Sequence, residues 1–399
     1  MKILIAGAGI GGLTTALCLQ KAGHDVTVFE QADTFSEIGA GLQCGANALA
    51  VFDWLGLVDS LEPLSVTPQR VDFRDYRSGK TLYSSPWGDS YQAKYGRPYW
   101  HLHRADLHRV LHSAFNGQIH FNAQVTAFNE VAGGVQINLS DGRRFDGDLL
   151  IGADGIKSAV RQQLLANASL LNKPRFTGNV AWRGVIERER LPDDFMPTIA
   201  SNFMGQGKHM VVYYLRDKRL VNFVGVVRHK APIDESWSSE APWHELQKDF
   251  AGWHPTVQSL VKAMKDQPCY RWALYDHAPL RNWSSSRVTL LGDAAHATLP
   301  FMASGAAMAI EDARVLQRCL SLDFKKGTDQ EAVAEALQCY QRNRQTRTAK
   351  IQTDSVKFGK LYHLQNPLTL KLAFKALDSV AKRKEDFLPS YDANTVELV

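Results

Sequence analysis

Cysteine is scarce and unpatterned in this 399-residue chain: Cys18, Cys44, Cys269, Cys319 and Cys339 are an odd number with no C-x-x-C spacing. Neither a disulfide framework nor a zinc site is suggested, no metal is expected, and a reducing cytoplasmic compartment fits best. A dominant charge is missing too. The 46 Lys+Arg stand against 41 Asp+Glu, for a net charge of +5, too even a balance to indicate a nucleic-acid partner. The densest basic stretch, Arg342, Arg344, Arg347 and Lys350, reads as a solvated helix face. Repeats and low-complexity segments are absent, whereas 45% apolar and 22% charged residues match an ordinary folded protein of two or three domains or one interwoven pair.

Long hydrophobic runs are lacking with one exception, the 18 uncharged residues Ile3 to Gln20. Gly7, Gly9, Gly11 and Gly12 interrupt it where a membrane-spanning helix or signal-peptide core would lose stability, so neither export nor stable membrane association is expected. The same residues read as a βαβ unit: a buried strand Lys2 to Ala6, a glycine turn, a helix from Leu13 to Lys21 and a second strand from Asp25 to Phe29. Gly7, Gly9 and Gly12 form G-x-G-x-x-G, which supplies a tight turn, backbone access for a pyrophosphate and close helix packing. Glu30 ends the second strand, where an acid accepts hydrogen bonds from ribose hydroxyls and repels a 2′-phosphate. The bound dinucleotide should therefore be FAD or NAD rather than NADP.

Two later segments repeat the theme of a buried strand ending in a Gly-Asp turn. Asp148 to Ile151 runs into Gly152-Ala153-Asp154-Gly155, and Arg287 to Leu291 runs into Gly292-Asp293, with Pro300 and a small-residue run beyond. Glycines there let backbone approach a ligand, and an acid at a strand's carboxyl end accepts hydrogen bonds from a polyol.

The ordered motifs GAGIGG, HRADL, GADGIKSAVR and GDAAHATLPFMASGAAMAIEDA resemble those of the single-component FAD-dependent aromatic hydroxylases. These are the class A flavoprotein monooxygenases that include salicylate hydroxylase and 3-hydroxybenzoate 6-hydroxylase. The resemblance spans roughly residues 1 to 350. It implies an α/β fold in which a Rossmann-like FAD-binding domain is interwoven with a β-rich substrate domain and followed by C-terminal helices. It also implies FAD as cofactor, NADH or NADPH as transient electron donor, and hydroxylation of a small, phenolic aromatic substrate by O₂ through a flavin 4a-hydroperoxide. Gly7, Gly9 and Gly12 would cradle the pyrophosphate and Glu30 the adenosine ribose. Arg104 would reach the phosphate and ribityl region, and Val125, at the end of a strand, would meet the adenine through its backbone. Asp154 and Gly155 match the Asp-Gly motif associated with both FAD and NAD(P)H, and Asp293 matches the acid on the ribityl chain. After Pro300, Gly305 and Ala306 would open a helix whose N-terminus favours negative charge on the reduced ring.

The expected domain limits are 1–175 and 276–330 for the FAD-binding parts, with substrate-domain strands possible within 70–100. The β-rich substrate domain is expected over 176–275 and C-terminal helices over 331–399, loose from Leu388. Asn179 to Ile186, His209 to Leu215 and Arg219 to Arg228 read as strands. Period two puts His209 and Tyr213 on one face, where the resemblance makes them substrate-contacting candidates for acid–base work; an edge histidine and a core aromatic are the alternatives. Arg183 is a candidate for a substrate carboxylate or for a structural contact. Ser304 replaces a Gln found in several relatives. No second G-x-G-x-x-G exists for NAD(P)H, and a homodimer is compatible with the helical C-terminus. Two rival readings remain: a flavin monooxygenase or epoxidase for a polyketide, quinone precursor or other larger substrate, and a flavin-binding redox protein without oxygenase turnover. For a membrane-bound substrate, Leu361 to Leu377 is the candidate amphipathic helix.

Overall fold

The computed structural model describes residues 1–35, 40–167, 173–205, 207–231, 240–323, 330–364, 366, 368–374 and 387–399. Strand β1 (Lys2–Ala6), helix α1 (Ile10–Lys21) and strand β2 (Asp25–Phe29) form the βαβ unit. β1 and β2 lie side by side in parallel, Ile3 opposite Val26. Helix α1 begins three residues earlier than the glycine spacing suggests, because Gly9 holds extended backbone at its N-cap and accepts from the Leu13 N–H at 2.9 Å. Leu149–Gly152 joins the other edge of β1, Val288–Leu290 follows it, and Gln118–His120 flanks β2, giving five parallel strands. Both Gly-Asp turns thus leave the same carboxyl edge of the sheet as the glycine turn, where ligands of such folds collect.

The short strand β3 (Gly41–Cys44) pairs with Trp100–His103. The second large sheet is built on β4 (Arg175–Glu187), β5 (Ala200–Gly205), β6 (Lys208–Leu215) and β7 (Leu220–Arg228). Its order is Tyr270–Asp276, β4, β7, β6, β5, Arg70–Asp75, Thr81–Pro86. Every neighbouring pair is antiparallel except β5 with Arg70–Asp75, so a segment from before residue 100 is sewn into the edge of this sheet. Alternation sorts the side chains. Met210, Val212 and Tyr214 face a core completed by Leu246, Phe250, Val257 and Leu260, and the odd-numbered residues of β6 face the opposite way.

Helix α2 (Gly305–Asp323) packs on α1 and on α3 (Gln330–Tyr362). Among the described residues no helix is long and apolar enough to cross a membrane. Within the amphipathic candidate, Leu370 and Phe374 are buried while Leu368 and Leu372 are exposed; positions 365, 367 and 375–377 lie outside the described residues, as do 378–384 of the helical stretch. The expectation of a loose C-terminal end does not hold. Ala393 is fully buried, Asn394 joins Arg314 (2.7 Å) to the Ala50 carbonyl (2.9 Å), and Arg318 donates to the carbonyls of Ala393 and Val396. The tail is held because arginines of α2 satisfy its carbonyls, a pairing with no local signature.

Candidate active site

The glycine turn is shaped by what surrounds it. Gly7 has φ +99°, and a Cβ there would lie 2.4 Å from the Ala153 carbonyl oxygen; one on Gly12 would lie 2.0 Å from the Gly7 oxygen. Those two glycines are required by packing. A Cβ on Gly9 would meet nothing within 4 Å, so at Gly9 the backbone faces open space at the start of α1, the position a pyrophosphate takes. Beside it a cavity of about 240 Å³ is lined by Ala8, Gly9, Glu30, Phe35, Arg104 and His108. Glu30 accepts from the N–H groups of Ala8 (2.8 Å) and Ala32 (2.9 Å), one per oxygen, which fixes the carboxylate at the cavity wall.

Arg104 opens the helix Arg104–Ala114. Its burial lowers the guanidinium's pKa, with Asp293 and Glu30 pulling the other way. It therefore lies within electrostatic reach of acids from both ends of the site. Asp293 is buried, and burial raises its carboxyl pKa against His296 and Arg104. Asp154 uses Oδ2 to accept from the Ala159 and Val160 N–H groups at 2.9 and 3.3 Å, while its buried Oδ1 has no hydrogen-bond partner. Gly155 follows with φ +77°. Val125 opens rather than ends its strand, Val125–Val131, two residues past Ala123, whose N–H donates to the Glu30 carbonyl at 2.8 Å. Pro300 starts a short turn to Met302, Ala303 takes φ +49°, and α2 begins at Gly305 and Ala306. A Cβ on Gly305 would come no nearer than 3.7 Å, to Thr298. The Ser304 hydroxyl donates to the Met302 carbonyl at 2.7 Å and so braces the turn. An open glycine surface, an acid at the ribose position and an orphaned buried carboxylate oxygen fit a bound dinucleotide.

Behind this edge lies a buried ionic cluster. Arg344 donates to Asp312 and to Glu311, both at 2.7 Å, and Arg347 bridges both Glu311 oxygens at 2.8 Å. Asp312 also meets His296 Nε2 at 2.6 Å and accepts from the Gly292 N–H at 3.1 Å; Asn47 donates to Glu311 at 2.6 Å. The reading of Arg344 and Arg347 as a solvated face is thus corrected: Arg344 is fully buried and Arg347 is 7% exposed. Their charges are buried because α3 packs against the acids of α2, and those acids in turn hold the Gly292-Asp293 turn.

On the second sheet, His209 and Tyr213 share one face and are both buried, with the partly accessible Val211 between them. Four residues of strand separate their Cα atoms by roughly 13 Å. The His209 ring packs on Phe301, 5.4 Å between centroids, beside the turn that leads into α2. Tyr213 packs on His101 at 4.3 Å and lies under β3, where a Cβ on Gly41 would strike its ring at 2.6 Å. Registration across the strands places Arg183, Val224, Val211 and Asn202 in one row. The Arg183 guanidinium lies 4.5 Å from the Trp272 ring centre, and burial lowers its pKa to about 10. Asn202 is buried with Oδ1 lacking a hydrogen-bond partner. Burial also lowers the His209 pKa well below the usual histidine value, His363 adding to the effect, and raises that of Tyr213. His209 is therefore held neutral and Tyr213 keeps its proton. Sequence reasoning missed Asn202, His101 and His363, which carry no local motif; only the register of strands and the end of α3 bring them here.

Residues 1–355 match the family model of the FAD binding domain. The 3-hydroxybenzoate 6-hydroxylase of Polaromonas naphthalenivorans strain CJ2 is 36% identical over 373 residues, 92% of this chain and 89% of that protein. The 6-hydroxynicotinate 3-monooxygenase of Bordetella bronchiseptica is 36% identical over 360 residues, 88% and 89% of the two chains. Among solved structures, Klebsiella pneumoniae HpxO in complex with FAD and uric acid superposes with a TM-score of 0.84 at 28% identity, covering 98% of this chain and 97% of that one. The chain belongs to the FAD-binding-domain family of flavin monooxygenases, and is an FAD-dependent enzyme of the aromatic hydroxylase type.

Proposed function

We propose that this enzyme hydroxylates a small phenolic aromatic acid lying on Val211 between His209 and Tyr213. The observation that carries the reading is that face of β6: two buried side chains of complementary hydrogen-bonding character flank an apolar floor. FAD, when bound, would supply two-electron transfer from NADH or NADPH to O₂. Gly7, Gly9 and Gly12 would hold its pyrophosphate, Glu30 and Val125 its adenosine, Arg104 and Asp293 its central chain, and Pro300, Gly305 and Ala306 the edge of its ring. Asp154 and Gly155 would shape the far wall.

The neutral His209 imidazole accepts the substrate's phenolic proton, which makes the ring a better nucleophile toward electrophilic oxygen. Tyr213, whose proton is retained, donates a hydrogen bond to a ring substituent. Arg183 supplies the positive charge that an anionic carboxylate needs in a buried site. The apolar wall of Phe301, Tyr362 and Val211 excludes water, so that an oxygen atom goes into the substrate instead of being lost as hydrogen peroxide. Hydroxybenzoate and hydroxynicotinate in the names of similar enzymes agree with one ring bearing both groups. Five buried cysteine thiols suit a cytoplasmic setting; a homodimer remains part of the reading.

The test offers the FAD-loaded enzyme salicylate, 3-hydroxybenzoate, 4-hydroxybenzoate and 6-hydroxynicotinate, and follows NADH and NADPH oxidation with product analysis. At least one should be hydroxylated. His209→Gln and Tyr213→Phe should each lower hydroxylation, the former about 10²-fold, with FAD content unchanged. Unaltered turnover in both variants would remove these side chains from the chemistry.

A further inference from the structure

His209 is not the end of its hydrogen-bond chain. Its Nδ1 lies 2.9 Å from Nε2 of His363, on the turn that follows α3, and the two rings are 5.1 Å apart. Both side chains are almost completely buried, at 2% and 4% exposure. Phe301 and Tyr362 pack around His209, and its partners across the strands, Met204 and Val226, are apolar. The charged group acting on His363 is Arg228, the exposed last residue of β7. His363 therefore lies between the sealed sheet face and the surface end of the sheet.

We propose that His363 is the second member of a proton relay that carries the substrate's phenolic proton from His209 toward the surface. This inference rests on the reading of His209 as the proton acceptor. A hydrogen bond between two imidazoles needs one N–H and one lone pair. With the proton on His209 Nδ1, the lone pair of His209 Nε2 is available to the phenol. Proton arrival at Nε2, transfer from Nδ1 to His363 Nε2 and release from His363 Nδ1 leave both rings neutral in the opposite tautomers. Neither imidazole is left charged, and the one charge created in the buried site is that of the phenolate itself. After oxygen insertion the ring regains aromaticity: the proton of the attacked carbon passes to the second atom of O₂, which leaves as water, and the ring oxygen takes a proton. The relay run in reverse supplies that proton and resets both tautomers. Burial explains the need for a second imidazole, since it disfavours imidazolium at His209 and so prevents that ring from storing the proton.

His363 acts through His209 and is a positioning and relay residue rather than a catalytic one. The test compares His363→Gln, His363→Ala and His209→Gln in the full FAD-loaded chain, using the fastest of the four phenolic acids above. His363→Gln should lower kcat for hydroxylation at least tenfold, with KM and FAD content held and an altered solvent deuterium isotope effect. Free imidazole should restore His363→Ala, whereas 1-methylimidazole, which lacks the N–H, should not. Equal rescue by both compounds, or full activity of the His363 variants beside a crippled His209→Gln, would overturn the relay and leave the His209 reading standing. Full activity in all three would overturn both. A readout independent of turnover is the ¹⁵N–¹H histidine spectrum of the FAD-loaded protein. Two neutral rings sharing one N–H are expected, and absence of that shared proton would overturn the proposal.

Discussion

Arg344→Met isolates the buried cluster behind the site. Arg344 is fully buried and holds one oxygen each of Glu311 and Asp312 at 2.7 Å. Methionine keeps much of the volume but removes the cation. Glu311 then retains Arg347 and Asn47, and Asp312 retains His296 and the Gly292 N–H. Breaking a buried pair on one side costs about 3–5 kcal/mol because the surviving charge stays buried. An unfolding entropy of about 2.1 cal/mol/K per residue over 399 residues gives about 0.8 kcal/mol/K, so Tm should fall by about 4–6 °C. Arg344→Lys should recover only part of this, since an ammonium cannot reproduce the guanidinium fork that reaches two acids. Differential scanning calorimetry at one scan rate measures both. A Tm within 1 °C of wild type for Arg344→Met would refute the claim that this cluster ties α3 to α2.

The cluster also sets the acid limit. The Asp312 carboxyl is pushed up by burial but pulled down more by His296 and Arg344, to about 2, and Glu311 is likewise lowered. Unfolded carboxyls titrate near 4, so the unfolded chain binds more protons between about pH 4 and pH 2; stability should be intact above that window and lost as pH falls through it, which acid unfolding followed by circular dichroism checks. Gly9→Ala should leave the Tm of the FAD-free protein unchanged yet weaken FAD binding at least tenfold, whereas Gly12→Ala should lower that Tm, because its Cβ meets the Gly7 oxygen at 2.0 Å; fluorescence titration with FAD and thermal melts separate the two. Removing residues 387–399 should lower Tm by several degrees, since Arg314, Arg318 and Arg347 lose carbonyl or amide partners and Tyr391 leaves its place 4.0 Å from the Arg347 guanidinium.

The elements that frame the proposed dinucleotide half of the site were legible because their signals are local. Gly7, Gly9, Gly12 and Glu30 fall within one βαβ unit, and a strand running into Gly-Asp is recognisable wherever it occurs. The face shared by His209 and Tyr213 was legible for a similar reason, since strand period alone decides it. What Arg344 and Arg347 do was not, because helical spacing reports which charges share a face but not whether another helix brings carboxylates to meet them. Strands of the substrate sheet were expected as possible within 70–100, but their pairing was hidden: Arg70–Asp75 pairs in parallel with β5 across more than a hundred residues. His363 carries no motif at all. Its place beside His209 follows from where α3 ends, and the packed tail depends on arginines far away in the chain.

The most direct test of the account is oxygen labelling. The FAD-loaded enzyme, supplied with ¹⁸O₂, NADH or NADPH and the four phenolic acids, should yield from at least one of them a product carrying one ¹⁸O atom, seen by mass spectrometry. NAD(P)H oxidation with every acid that ends entirely in hydrogen peroxide, without ¹⁸O in any aromatic product, would contradict the assignment of this site to aromatic hydroxylation.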